Sequence, residues 1–135
     1  MAPATTAHAF PQDLSPAMAD QRRVLLVEDD EGVREVLDSV LWNHGFSVTA
    51  YGTAEDALEH DAPFDLLLTD VCLPGLNGPA LAREIKRRTP AVQVLLMSGE
   101  ASCAHDIEGL TPQAFLHKPF SSQALVDRVN QLLSA

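Results

Sequence analysis

Three runs dominated by apolar residues, at 24–27, 64–69 and 92–97, constrain the fold of this chain most strongly. Their pattern does not alternate between apolar and polar positions as it does in a strand with one solvated face. A short continuous apolar run is typical of a strand that is covered on both faces, as in a parallel sheet. Shorter β-type runs at 46–50 and 114–117 bring the number of predicted strands to five.

Helical patterns separate the predicted strands. The first is a stripe of apolar residues three and four positions apart, which predicts a helix that packs on the sheet and ends at Gly45. The members of this stripe are Val33, Val36, Leu37, Val40 and Leu41. Thr53 followed by Asp56 predicts the capped start of a short helix that extends to about residue 61. Two further helices are predicted by Leu81, Ala82 and Ile85 and, after the cap Ser121, by Leu125, Val126, Val129, Leu132 and Leu133.

The alternation of strands and helices predicts an α/β fold with a doubly wound, five-stranded parallel sheet and helices on both faces. In such sheets the ligand site lies beyond the carboxyl ends of the strands. The chain has 135 residues, which is the length of one domain. We expect a flexible leader at 1–21 and a folded domain at 22–135, because residues 1–20 lack apolar periodicity and carry only two charges, Asp13 and Asp20.

Composition excludes several functional classes. Nineteen acidic residues against nine Lys and Arg give a net charge of −10, the wrong sign for a domain that binds nucleic acid directly. No apolar run is long enough to span a bilayer, and two cysteines are too few for a disulfide scaffold or a cysteine-ligated zinc site. We therefore expect a cytoplasmic protein with no direct nucleic-acid binding and no membrane insertion.

Side chains able to bind a cation and a phosphoryl group follow four of the predicted strands. They are Glu28, Asp29 and Asp30 after the first strand, Asp70 after the third, Ser98 after the fourth and Lys118 after the fifth. Crowded carboxylates repel one another unless a hard cation lies between them, and oxygen ligands without a thiolate favour Mg²⁺. Lys118 and Ser98 would then contact phosphoryl oxygens, which leaves Asp70 as the nucleophile. The sequence therefore predicts phosphoryl transfer to the protein itself.

Four ordered motifs surround these residues. They are Val27-Glu28-Asp29-Asp30, Leu68-Thr69-Asp70-Val71-Cys72-Leu73-Pro74-Gly75-Leu76-Asn77-Gly78, Met97-Ser98-Gly99 and His117-Lys118-Pro119-Phe120. From about residue 24 to residue 133 the chain resembles a response-regulator receiver domain of two-component signalling, of the chemotaxis-regulator type. This resemblance implies a flavodoxin-like sheet with the strand order 2-1-3-4-5.

By this resemblance, Asp70 accepts a phosphoryl group from the phosphohistidine of a sensor histidine kinase or a histidine phosphotransfer protein, with Mg²⁺ as the cofactor. The implied ligands of the ion are Glu28, Asp29, Asp70 and the backbone carbonyl of Cys72. Asp30 lies just past the family's acidic pair, and we expect it to cap the first helix instead. We do not expect the domain to be an enzyme. Its expected chemistry is limited to self-catalysed phosphoryl transfer to Asp70 and slow autodephosphorylation.

The resemblance also implies which residues bind the phosphoryl group and which respond to phosphorylation. Ser98 and Lys118 are expected to bind phosphate, Phe115 occupies an aromatic switch position where many relatives carry Tyr, and the Lys118–Pro119 bond is usually cis. Cys72 and Glu100 stand at the positions that tune dephosphorylation. Phosphorylation is expected to change partner binding through residues 98–117, with a downstream protein on the face formed by 100–135.

Two alternatives stay open at this point. The first is a receiver domain excised from a hybrid histidine kinase, which would act as a phosphorelay intermediate. The second is a Mg²⁺-dependent aspartyl-phosphate phosphatase of the haloacid-dehalogenase type. That family has a second Asp two residues after the nucleophile, and this chain has Cys72 there.

Overall fold

The computed structural model describes residues 21–99 and 114–134, which form a parallel sheet with helices on both faces. The elements are β1 (Arg23–Val27), α1 (Glu31–Asn43), β2 (Ser47–Tyr51), α2 (Ala54–Leu58), β3 (Leu66–Asp70), α3 (Gly78–Arg88), β4 (Gln93–Ser98), β5 (Phe115–His117) and α4 (Ser122–Leu133). The strand order is β2-β1-β3-β4-β5, and every neighbouring pair is parallel. The predicted fold class and strand order are therefore confirmed.

Two apolar cores lie on opposite faces of the sheet. Val24 and Leu26 of β1 belong to the core that α1 and α4 cover, whereas Leu25 of the same strand belongs to the core that α2 and α3 cover. Successive side chains of a strand point to opposite faces, so a strand with both faces covered must be apolar at every position. Each fully buried leucine contributes roughly 1.5–3 kcal/mol through removal of its side chain from water.

Polar side chains cap the four described helices at their amino ends. In each case the side-chain oxygen accepts a hydrogen bond of 2.9 to 3.1 Å from the backbone N–H three residues later. The capping residues are Asp30, Thr53, Asn77 and Ser121. Gly45 follows α1 with φ of +94°, a conformation that favours glycine. The caps predicted at Asp30, Thr53 and Ser121 are present, and Asn77 is an additional one.

The buried face of α1 differs from the predicted one. Val33 and Val36 were expected to pack inward, but they are 37% and 60% exposed. The helix instead buries Arg34 and Asp38 together with Leu37 and Leu41. These four positions also follow the spacing of three and four residues, so the helix is rotated relative to the prediction. The rotation brings the Arg34 guanidinium to the Glu28 carbonyl, to which it donates a hydrogen bond of 2.8 Å.

Several element boundaries also shift. β3 begins at Leu66 rather than at residue 64, and α2 ends at Leu58 rather than near residue 61. At the end of α2 the backbone tightens, because the N–H of Glu59 and that of His60 each donate to a carbonyl only three residues earlier. The predicted leader at 1–21 lies almost wholly outside the described residues. No helix in the described part of the chain combines the length and the apolar character needed to cross a membrane.

Candidate functional site at the carboxyl ends of the strands

The parallel sheet brings the predicted site residues to one edge. Glu28 directly follows β1, Asp70 and Ser98 are the last residues of β3 and β4, and Lys118 directly follows β5. The strands are in register there, with Asp70 opposite Met97 and Ser98 opposite His117. The sheet therefore holds these backbones at the same level, as the sequence predicts for this fold.

Lys118 joins two of the acids. Its Nζ donates to Asp70 Oδ2 at 2.9 Å and to Glu28 Oε1 at 3.3 Å. The Glu28 side chain is almost fully buried, at 2% exposure, and Asp70 is 8% exposed. Burial alone would lower the pKa of Lys118, but the hydrogen bonds and charges of Asp70 and Glu28 raise it overall. The ammonium is therefore charged at neutral pH and lies directly against the predicted nucleophile.

Three carboxylates lie close enough to share a cation. One oxygen from each of Glu28, Asp29 and Asp70 lies within 4.8 Å of the others. Burial raises the pKa of the Glu28 carboxyl and the charge of Asp70 adds to the rise, against the opposing effects of the Asp30 N–H and Lys118. A buried carboxylate with a raised pKa carries negative charge that its surroundings do not fully compensate. These hard oxygen donors therefore fit a divalent cation such as Mg²⁺.

The loop after β3 fixes the position of Asp70. The Cys72 N–H donates to Asp70 Oδ1 at 3.3 Å, and the Gly78 N–H donates to the Val71 carbonyl at 3.0 Å. Gly75 in the same loop has φ of +70°, which favours glycine. Further along the loop, the Leu76 N–H donates to Glu55 Oε2 of α2 at 2.9 Å. The loop is therefore held at both ends and once in the middle.

The two residues predicted to respond to phosphorylation, Ser98 and Phe115, lie on β4 and β5. Ser98 is 1% exposed, and its carbonyl accepts a hydrogen bond of 2.8 Å from the Lys118 N–H. Phe115 is half-buried and packs against the core under α2 and α3, and its carbonyl accepts from Arg128 of α4. The Lys118–Pro119 peptide bond is cis. The functional roles of Ser98 and Phe115 stay predictions, and Glu100 lies outside the described residues.

Three contacts near the site were not predicted: Arg34 binds the backbone of the acidic turn, Glu55 binds the loop after β3, and Asn77 at the end of that loop caps α3. All three act on backbone groups, through a side-chain donor or acceptor that the sequence does not distinguish from a solvated one. For Arg34 a signal was available, since residues 34, 37, 38 and 41 have helical spacing as good as that of the apolar stripe. Hydrophobicity alone favoured the stripe, which is why the prediction missed it.

Comparison with known proteins agrees with this geometry. Residues 24–130 match the sequence profile of the response regulator receiver domain. The transcriptional regulatory protein CseB of Streptomyces coelicolor is 40% identical over 121 residues, covering 86% of this chain and 51% of CseB. The chain thus spans about half the length of that relative. The response regulator receiver protein CpdR of Brucella abortus is 33% identical over 118 residues, covering 84% of this chain and 98% of CpdR.

A solved structure shows the same relationship. The response regulator receiver protein from Sinorhizobium medicae superimposes with a TM-score of 0.78 at 28% identity, covering 87% of this chain and 98% of that protein. The sequence profile covers the four strand ends that carry Glu28, Asp70, Ser98 and Lys118. The resemblance inferred from the motifs is confirmed: this chain belongs to the response regulator receiver domain family of two-component signalling.

Proposed function

We propose that this domain is a phosphorylation-dependent switch that accepts a phosphoryl group onto Asp70 from the phosphohistidine of a histidine kinase or phosphotransfer protein. The observation that carries the proposal is the contact between Lys118 Nζ and Asp70 Oδ2 at 2.9 Å, beside the carboxylates of Glu28 and Asp29. The Lys118 ammonium and a cation held by these carboxylates would together supply the positive charge that a transferring phosphoryl group requires. Glu28, Asp29, Asp70 and the Cys72 carbonyl would hold Mg²⁺.

Phosphoryl transfer to Asp70 would be a displacement at phosphorus. A carboxylate oxygen of Asp70 forms a bond to phosphorus, the P–N bond to the donor imidazole breaks, and its electron pair goes to the imidazole nitrogen. Bound Mg²⁺ would supply positive charge to the phosphoryl oxygens. Lys118 would neutralise a further phosphoryl oxygen, and the Ser98 hydroxyl would donate to another.

An exposed apolar groove beside Lys118 supports docking of the phosphodonor. A groove of about 500 Å³ is lined by Val33 and Leu37 of α1, by Gly99 and by the loop segment Lys118, Pro119 and Phe120. Val36 lies next to it along α1 and is the most exposed of the large apolar residues in the described chain. Lys118 both lines the groove and contacts Asp70, so a donor seated here would bring its phosphohistidine to the nucleophile. The groove therefore favours a helical protein donor with an apolar surface around its histidine.

The output is proposed to pass through residues 98–117 to a downstream protein on the face formed by 100–135. Within the described residues, Phe115 links β5 to α4 through its carbonyl and Arg128. A shift of Ser98 toward the phosphoryl group would change the packing beside Phe115 and hence this link. A differential contact of a few kcal/mol is enough to shift a two-state population.

Borohydride reduction of the phosphorylated domain tests the proposed acceptor. An aspartyl phosphate is reduced to homoserine, so peptide mapping after treatment with a small acyl phosphate and Mg²⁺ should find homoserine at position 70. Homoserine at position 29, or a stable phosphate ester on Ser98, would contradict the proposal. Incubation with an aryl phosphate ester should give no sustained hydrolysis, and steady turnover would favour the phosphatase alternative.

A further inference from the structure

We propose that Arg34 is a positioning residue of the phosphoryl-transfer site, fixing the turn that carries Glu28 and Asp29; this inference rests on the function proposed above. Arg34 lies in the first turns of α1 and is only 8% exposed. Its Nη1 donates to the Glu28 carbonyl oxygen at 2.8 Å, across six residues of the chain. The contact joins a buried cation to the backbone of the acidic turn.

The polar groups of Glu28 are each held by a different partner. Its N–H donates to the Tyr51 carbonyl of β2 at 3.1 Å, and its carboxylate accepts from the Asp30 N–H at 3.2 Å and from Lys118 Nζ at 3.3 Å. Within the described residues, the Glu28 carbonyl receives its hydrogen bond from Arg34. Arg34 thus completes the set of contacts that immobilises this residue.

The Glu28 carbonyl matters because it belongs to the same peptide unit as the Asp29 N–H. The peptide unit is planar, so a donor that fixes the carbonyl direction also fixes the direction in which Asp29 leaves the turn. Asp29 is exposed, yet one of its oxygens lies within 4.8 Å of the carboxylate oxygens of Glu28 and Asp70. Release of this peptide unit would allow Asp29 to swing away from the other two acids.

The energetics separate a positioning role from a purely structural one. The neighbouring positions on the same buried face, Leu37 and Leu41, show that this surface accepts apolar residues. Replacing Arg34 alone nevertheless removes a donor and leaves its acceptor, the Glu28 carbonyl oxygen, in place, and the loss of one partner of a buried hydrogen bond destabilises the folded protein. A purely structural role therefore predicts that Arg34→Met lowers the stability and leaves cation binding unchanged. A positioning role predicts that cation binding falls whatever the stability does.

Gly52 gives an independent way to disturb the same contact. A Cβ at position 52 would lie 3.1 Å from Nη1 of Arg34, which is tighter than ordinary contact. Gly52→Ala therefore displaces the guanidinium by a few tenths of an ångström without removing its charge. Neither Arg34 nor Gly52 touches the reacting groups, so both variants act through the turn.

The experiment compares Arg34→Met, Arg34→Lys and Gly52→Ala with Leu41→Ala, a control that damages the same helix face about two turns beyond the contact. Mg²⁺ affinity is measured by calorimetric titration, and amide exchange of residues 28–30 is measured in the metal-free protein. Loss of a residue that orients metal ligands typically weakens affinity by about 10–100-fold. We expect a loss of at least tenfold in Arg34→Met, partial recovery in Arg34→Lys, and faster exchange at 28–30. Leu41→Ala should lower the melting temperature while keeping Mg²⁺ affinity.

Unchanged Mg²⁺ affinity and unchanged exchange in Arg34→Met would overturn the inference. If Arg34→Met does not fold, the test rests on Gly52→Ala and Arg34→Lys. Mg²⁺ affinity equal to that of wild type in both of these variants would also overturn the inference. The proposed function fails separately, if wild-type protein with normal Mg²⁺ affinity takes up no phosphoryl group on Asp70. The weakened affinity of Arg34→Met would stand in that case as a property of the cation site alone.

Discussion

Gly78 lies so close to Asp70 that a Cβ at position 78 would fall 2.1 Å from the Asp70 carbonyl oxygen. The first residue of α3 and the last residue of β3 are therefore packed backbone against backbone, and only glycine fits. Gly78→Ala should force these segments apart and lower the free energy of unfolding by about 1–3 kcal/mol, the usual effect of overpacking.

Gly32→Ala is the matched control for this change. Gly32 also lies in the first turn of a helix, but its nearest atom to a Cβ is the Asp30 Oδ1 at 3.4 Å, which is ordinary contact. Alanine should stabilise the helix there by roughly 0.5–1 kcal/mol. Denaturant unfolding measures both variants, and equal stability of Gly78→Ala and wild type would refute the close contact.

Replacing Lys118 by Met should steepen the loss of stability with rising pH. Burial holds the pKa of the Glu28 carboxyl above its value of about 4.3 in the unfolded chain. The contribution of Glu28 to folding stability is therefore fully present below about pH 4.3. It is lost as pH rises through the pKa of the folded state. Lys118 opposes this shift, so the pKa of Glu28 rises further without it. We expect the stability gap between variant and wild type to widen by about 1–3 kcal/mol between pH 4 and pH 8, less than for a fully buried pair.

Urea unfolding across this pH range makes the measurement. Arg87→Met is the control, because Arg87 forms an exposed pair with Glu84 on α3, and such pairs contribute about 0–1 kcal/mol. Parallel pH profiles for Lys118→Met and wild type would show that Lys118 does not compensate the buried acid.

Protonation of Glu55 should loosen the loop that follows Asp70. The Leu76 N–H holds the pKa of the Glu55 carboxyl below its usual value, so this contact is fully present above the unfolded pKa and is lost as pH falls through the folded pKa. Amide exchange at Leu76, corrected for the intrinsic effect of pH, should accelerate below about pH 4 in wild type. In Glu55→Ala it should be fast at every pH, and equal protection in the two proteins at pH 7 would disprove the contact.

The exposed apolar side chain of Val36 offers a test of donor docking. Val36→Lys should reduce transfer from phosphorylated histidine kinases by about tenfold, the effect of losing one well-packed interface contact. Uptake from a small acyl phosphate should stay unchanged, because Val36 does not reach the acids. Ala91→Lys, an exposed change before β4, is the control. Equal transfer rates for Val36→Lys and wild type across a panel of purified kinases would place the docking surface elsewhere.

The sequence predicts the residues of the candidate site more completely than it predicts the side-chain packing around them. Asp70 and Ser98 follow continuous apolar runs that are typical of buried strands, Lys118 follows a shorter β-type run, and a parallel sheet brings such ends together. The face of α1 was mispredicted because periodicity ranks positions by hydrophobicity, which put Val36 inside and Arg34 outside. In the folded protein Arg34 donates to the Glu28 carbonyl, a contact that the spacing of residues 34, 37, 38 and 41 allows but that hydrophobicity does not reveal. The same holds for Gly78, whose role becomes visible only when Asp70 is placed against it.

Intact-mass measurement of the domain after incubation with a small acyl phosphate and Mg²⁺ tests the central claim most directly. Wild type should gain one phosphoryl group. Asp70→Asn should gain none because it lacks the nucleophilic carboxylate. Wild type treated with a chelator should gain none because the crowded carboxylates repel an anionic donor when no cation is bound. Asp127→Asn, an exposed change on α4, should be labelled like wild type. Undiminished labelling of Asp70→Asn, or labelling that is indifferent to chelation, would contradict the account.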